Sequence, residues 1–424
     1  MRHPKVKIVV ALLSFTLLAA CGRSSDDGGG TAQTTGQNAT APAKAKLTMW
    51  AMGSDGDNLP KLLKKFETEN PGYTVDVTSI PWQDAAAKFR TAEAGGVTPD
   101  IAQVGTTLMG GITDGFETVP SGTDTGVYFP GPLKSAQVDG KTVGVPWAVD
   151  TRVLFYRTDL AKEAGFDGPP KTWDDLKKLA KGMQTKGGAK YGIRMATTPD
   201  QNLQNSFIFP WSNGAQIISP DGSKWTFDTP ETVAAYRYFQ SFYQEKIADP
   251  NPSAGAGAAE SAFVSGKLGI LVAGAGEQEL LDQAGGAGFK DKYALATMPK
   301  EKSGTSFAGG SDLVVFKKSK NSAAAWKLIQ WLSKPDVQAQ WYQIDGALPA
   351  VQSAWQEPAI ADDKRLSVFG EQLKDTNAPP ANATWLQVAD AVGRQLDQMV
   401  KNGKDPAQAM KDAQSAADSI GTGG

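Results

Sequence analysis

From Lys46 onward the apolar residues switch between two periods, and that switching leaves few folds open. Lys46–Ala51 (KLTMWA) has the composition of a buried strand. Leu59, Leu62, Leu63 and Phe66 then recur at i, i+3, i+4 and i+7, which predicts an amphipathic helix stopped by Asn70-Pro71-Gly72. Tyr73, Val75 and Val77 alternate with Thr74, Asp76 and Thr78, the period of a half-buried strand. A second helix around 82–94 leads to another short strand at 99–104. This βαβ repetition predicts an α/β fold with a parallel sheet covered by helices. Ligands of such sheets bind beyond the carboxyl ends of the strands.

Further along, residues 140–157 form a long extended run. Thr172 is placed to cap a helix carrying Trp173, Leu176 and Leu179, and Thr229-Pro230-Glu231 is an N-terminal signature for another. A strand is expected at 268–272 and one at 312–316, with closing helices near 386–401 and 406–420.

The chain ahead of Lys46 has no such pattern. Arg2, Lys5 and Lys7 precede an uncharged stretch, residues 8–20, too short for a comfortable permanent span. It runs into Leu18-Ala19-Ala20-Cys21, which contains the single cysteine and resembles a bacterial lipobox. The expectation is a signal peptide over 1–20 and lipidation of Cys21, where two or more acyl chains anchor stably because each buried methylene adds roughly 0.8 kcal/mol. A plain secretory signal with a chance cysteine is the alternative. Residues 21–45, rich in Gly, Ser, Thr, Gln and Asn, have almost nothing to bury and are expected to be a flexible tether.

The remainder is too long for one ordinary core and implies two domains. With 43 basic and 45 acidic residues and no polybasic block after the leader, the chain lacks the footprint of nucleic-acid binding. The single histidine, His3, is expected to leave with the signal peptide. Serine–histidine and cysteine–histidine catalysis and histidine-ligated zinc are thereby excluded from the mature chain. Nothing calls for a cofactor, a metal or an oligomer, so a monomer is expected.

The runs GVPWAVDTRVLFYR (144–157), TDLAKEAG (158–165) and TWDDL (172–176) are similar to the family 1 extracellular solute-binding proteins, relatives of the maltose-binding protein. The similarity continues through AFVSGKLGI (262–270), AGGSDLVVF (308–316), SKNSAAAWKLIQWL (319–332) and GALP (346–349), in the family's order. The resemblance implies a two-lobed periplasmic-binding-protein-like α/β fold with a three-crossover hinge. The first lobe would be 46–153 with 299–346, and the second 154–298 with 347–424. It implies no catalysis. The function implied is the substrate-binding component of an ABC importer, which captures a mono- or oligosaccharide and delivers it to the permease subunits.

A sugar needs bidentate polar partners for its hydroxyls and aromatic surface for its apolar faces. The resemblance places Trp147, Asp150 and Arg152 on one cleft wall beside the first crossover. It places Gln204, Asn205 and Trp211 on the second lobe, and turns Trp385 toward the ligand. The loop 53–58 offers Asp55 and Asp57, whose alternative role is helix capping. Thr106 follows the third strand, Glu277 follows a second-lobe strand, and Gly310 with Ser311 lets backbone come close to the cleft. Where the family often carries an aromatic after that second-lobe strand, this chain has Gly274-Ala275-Gly276. A glycerophosphodiester or polyamine is the runner-up ligand. A secreted enzyme with paired carboxylates, and a sensor docking on a receptor, are the remaining readings.

Overall fold

The structure, a computed structural model, describes residues 41–112, 115–138, 140–195, 205–253, 255 and 257–423. Strand β1 (Ala45–Met52) is followed by helix α1 (Gly53–Glu69), β2 (Tyr73–Ile80), helix α2 (Trp82–Gly95) and β3 (Ile101–Gly105). β1 pairs in parallel with both β2 and β3, the arrangement expected from βαβ repetition. α1 buries Leu59, Leu62, Leu63 and Phe66, each side chain worth roughly 1.5–3 kcal/mol on removal from water. It ends where Asn70 Nδ2 donates to the Phe66 carbonyl, one residue before the proline.

Gly53–Asn58, expected as a loop, is instead the opening of α1. Gly53 turns the chain directly out of β1 with φ of 53°, so no loop intervenes. Asp57 is therefore an exposed helical residue and does not cap, because the N-cap position is Met52.

The long extended run resolves into a small hairpin, β4 (Gln137–Val138) with β5 (Lys141–Thr142), then β6 (Val145–Thr151) and β7 (Val153–Arg157). Arg152, between the last two, is where the chain changes sheets. β7 joins β8 (Tyr191–Arg194), β9 (Leu268–Ala273) and β10 (Tyr293–Ala296) in a second sheet of order β10-β7-β9-β8. β11 (Ser306–Val315) returns to the first sheet, antiparallel to both β3 and β6. Two short strands of the 347–424 stretch, β12 (Leu348–Pro349) and β13 (Thr376–Asn377), also belong to that first sheet, on β6 and β11. Each sheet with its helices makes one lobe of a two-lobed α/β fold.

Local signals act as the residue types demand. Thr172 forms a reciprocal capping box with Asp175, and Thr229 accepts from the Thr232 amide ahead of the helix Pro230–Gln244. The second lobe's core gathers Trp173, Phe207, Trp211, Trp225, Phe239 and Trp385 with the two C-terminal helices, Trp385–Asn402 and Pro406–Ile420.

Candidate functional site

Strand alternation decides what β6 presents. Trp147, Val149 and Thr151 point to one face and are buried; Ala148 and Asp150 point to the other and are half-buried. Trp147, expected on the cleft wall with Asp150, is thus on the opposite side of its own strand. Its ring packs on Trp341 at 5.5 Å between centroids. Its Nε1 donates to Asp55 Oδ2 at 3.3 Å.

Asp55 sits at the centre of a buried polar network. Gln103 Nε2 donates to Asp55 Oδ2 at 2.8 Å and to Ser311 Oγ at 2.9 Å, while Gln103 Oε1 accepts from the Met52 amide at 2.8 Å. Burial, and then the Asp345 carboxylate facing it, pushes the Asp55 carboxyl up to about 7, against the pull of the Trp147 and Gln103 hydrogen bonds. Asn58 Nδ2 holds Asp345 Oδ1 at 2.7 Å. These bonds tie the start of α1 to β3, β6 and β11. Asp55 and Ser311 therefore already have protein partners and are almost wholly buried.

Thr106 is likewise buried, opening the turn Thr106–Gly111. Gly310, expected to bring backbone close to a ligand, instead brings β11 close to β6. A Cβ there would stand 2.0 Å from the Ala148 carbonyl oxygen, and φ is 118°. Trp211 and Trp385 are core residues of the second lobe, packed in tilted contact with Phe207 at 5.8 and 5.4 Å. Their helices turn the rings inward, into that core. Gln204 lies outside the described residues.

Asp150 and Arg152 do meet. The guanidinium pairs with Asp150 through Nη1, donates from Nε to Asn205 Oδ1 at 2.9 Å, and lies over the Phe307 ring at 5.1 Å. Asn205 belongs to the second lobe, so this cluster crosses from one lobe to the other at the sheet change. Gly274, at the end of β9, is packed against it: a Cβ there would lie 2.6 Å from Asp150 Oδ1 and 2.9 Å from Arg152 Nη1. Glu277 opens the helix Glu277–Gly285; burial, then the like charge of Glu260, pushes its carboxyl up to about 7 against the pull of Arg194.

One ring that the sequence reading left unassigned stands out. Trp82, the first residue of α2, is 45% exposed. Its indole spans from Gly53 to Gly105: Cβ atoms at these glycines would meet ring Nε1 at 2.9 Å and Cζ3 at 3.1 Å. The ring thus lies across the carboxyl ends of β1 and β3, the edge where ligands of such sheets bind. Its position one residue past the end of β2 was the available signal.

The profile of the bacterial extracellular solute-binding protein family matches residues 61–368. The chain belongs to this family. It is 26% identical to the galactooligosaccharide-binding protein of Bacillus subtilis over 392 residues, covering 88% of this chain and 89% of that protein. It is 23% identical to a maltooligosaccharide ABC transporter solute-binding lipoprotein of Streptococcus pneumoniae, covering 95% and 93%. Among solved structures, the sugar-binding protein MalE of Xanthomonas citri superposes with a TM-score of 0.82 at 29% identity, over 89% of this chain and 97% of that one. These relatives are binding proteins. Family members share an extracellular setting, which agrees with the signal peptide expected over residues 1–20.

Proposed function

We propose that this protein captures a sugar between its two lobes and delivers it to the permease of an ABC importer, without transforming it. The observation that carries this reading is Trp82, an apolar platform seated on two glycines at the ligand-binding edge of the first sheet. The names of the pneumococcal and Xanthomonas relatives support it. Asp150 and Arg152 are the polar partners we assign to the ligand, placed where the lobes join. Closure about that joint would present the permease with a surface the open form lacks. The relevant lobes are 46–153 with 299–346 and 154–298 with 347–424, apart from the two short strands that the latter lends to the first sheet.

Catalysis by paired carboxylates finds little support in Asp55 and Asp345. Their side chains are hydrogen-bonded to one another, whereas a retaining glycosidase keeps its pair about 5 Å apart around the sugar. We further assign a lipid anchor to Cys21 and a monomeric state to the mature protein.

The test is a thermal-shift screen of the processed chain against sugars, glycerophosphodiesters and polyamines. A ligand at a hundred times its Kd stabilises by about 2.7 kcal/mol, a rise of several degrees. A shift with a sugar recovered unchanged supports the proposal. A shift only with a phosphodiester or polyamine, or conversion of the sugar, overturns it.

A further inference from the structure

A sugar chain of several rings has an apolar face on each ring to cover, and burying it calls for a row of aromatic surfaces. This chain has eleven tryptophans, yet the structure leaves little such surface. Among the described residues Trp82 is the one exposed aromatic side chain. Trp50, half-buried, packs on Phe89 beneath Lys88 on the α2 side of the sheet, away from the strand ends. The other nine tryptophans are core residues.

The polar partners lie a short way off. Gly105, under the Trp82 ring, pairs across β11 with Ser311, which pairs with Ala148 of β6; Asp150 is two residues further along that strand. Two strand spacings, roughly 10 Å, therefore separate the aromatic platform from the strand that carries Asp150. One or two pyranose rings fill such a span. On the far side, Gly274 has an ordinary negative φ, so its backbone does not require glycine. Space does, because a side chain there would displace the ends of Asp150 and Arg152.

Resting on the sugar-binding reading above, we infer that the site takes a short sugar of one or two rings. One face lies on Trp82, the hydroxyls are bonded by Asp150 and Arg152, and Gly274 is the specificity-determining position. A bare glycine at the end of β9 leaves the second lobe room for the charged pair that β6 and the sheet change supply. Longer chains would leave their outer rings uncovered.

The test is calorimetric titration of the processed chain with glucose, galactose, maltose, lactose and maltotetraose. At least one mono- or disaccharide is expected to bind about tenfold or more tighter than maltotetraose. Maltotetraose binding tighter than every shorter sugar overturns the inference and leaves the sugar-binding reading standing. No heat with any sugar, and none in the thermal screen, overturns both. Gly274→Ala separates specificity from stability. The atoms it crowds are the ends of flexible side chains, so Tm should hold within about a degree, while affinity for the preferred sugar falls roughly tenfold. Trp82→Ala should lose roughly ten- to a hundredfold, with Trp82→Phe recovering most of it. Unchanged affinity in both Gly274→Ala and Trp82→Ala sinks the assignment.

Discussion

Trp147 and Trp341 pack with their planes 32° apart, and the Trp147 Nε1 reaches back to Asp55, so the ring braces β6 against the helix Pro335–Asp345 and α1 together. A residue in that position holds a lobe together. Truncating it removes a large, fully buried side chain and leaves Asp55 short of a donor.

Trp147→Ala is therefore expected to destabilise the protein by about 3–5 kcal/mol. Urea unfolding followed by fluorescence measures it, best referenced to a variant at another tryptophan. Wild-type stability combined with a collapse of sugar binding would show that the ring meets the ligand after all.

Asp312 makes stability depend on pH. Its carboxyl is fully buried with Ser135 as its hydrogen-bond partner, and burial pushes it up to about 7. Ser135 Oγ donates to Asp312 Oδ2 at 3.0 Å, which pulls the carboxyl down but by less than burial pushes it up. An unfolded aspartate titrates near 3.8. Between these values the folded form holds a proton that the unfolded chain has released. This contribution is complete below about pH 4 and is lost as pH rises toward 7. Asp55 and Glu277 are shifted the same way. Tm should fall across this window, and Asp312→Asn should flatten the slope by about one proton. An unaltered slope in that variant would mean that Asp312 ionises normally in the fold.

Gly310→Ala strikes the sheet itself. The positive φ costs about 1–3 kcal/mol for a side-chain-bearing residue, and the collision with the Ala148 carbonyl adds about 1–3 kcal/mol or more. Gly140→Ala is the matched control: φ is 71°, but nothing lies within 4 Å of the added carbon. It should cost only the dihedral part, about 1–2 kcal/mol. Equal losses in the two variants, by chemical denaturation, would contradict the close contact between β11 and β6.

Cys21→Ser tests the anchor. Processing followed by acylation predicts that the variant leaves the membrane fraction for the soluble one, since anchoring that rests on acyl chains disappears with the thiol. Retention of the variant in washed membranes would reject lipidation at Cys21.

How legible was all this in the residues? Helix ends were, because caps are local: Thr172 with Asp175 and Thr229 ahead of Pro230 act within one turn. The strands were legible through their period. Asp150 and Arg152, expected together beside the first crossover, do meet, and Gly274 packs against them. Trp147 departs from expectation because, three residues from Asp150 on one strand, it faces the opposite way. The exposure of Trp82, which opens a helix one residue past the end of β2, has no signal in the helical period.

By itself the amino-acid sequence determined the βαβ order, the capped helix starts at Thr172 and Thr229 and the family, because periodicity, caps and motif order act over short stretches of chain; the start of α1, which carries no such cap, it did not. The tertiary structure alone decided which of eleven tryptophans stays in contact with solvent. Alternation says that two neighbours face opposite ways, but which face is covered depends on distant segments. For Trp147 that cover comes from Trp341, nearly two hundred residues away along the chain. Trp82 stays 45% exposed, and two glycines, Gly53 and Gly105, let its ring come close against the ends of the strands.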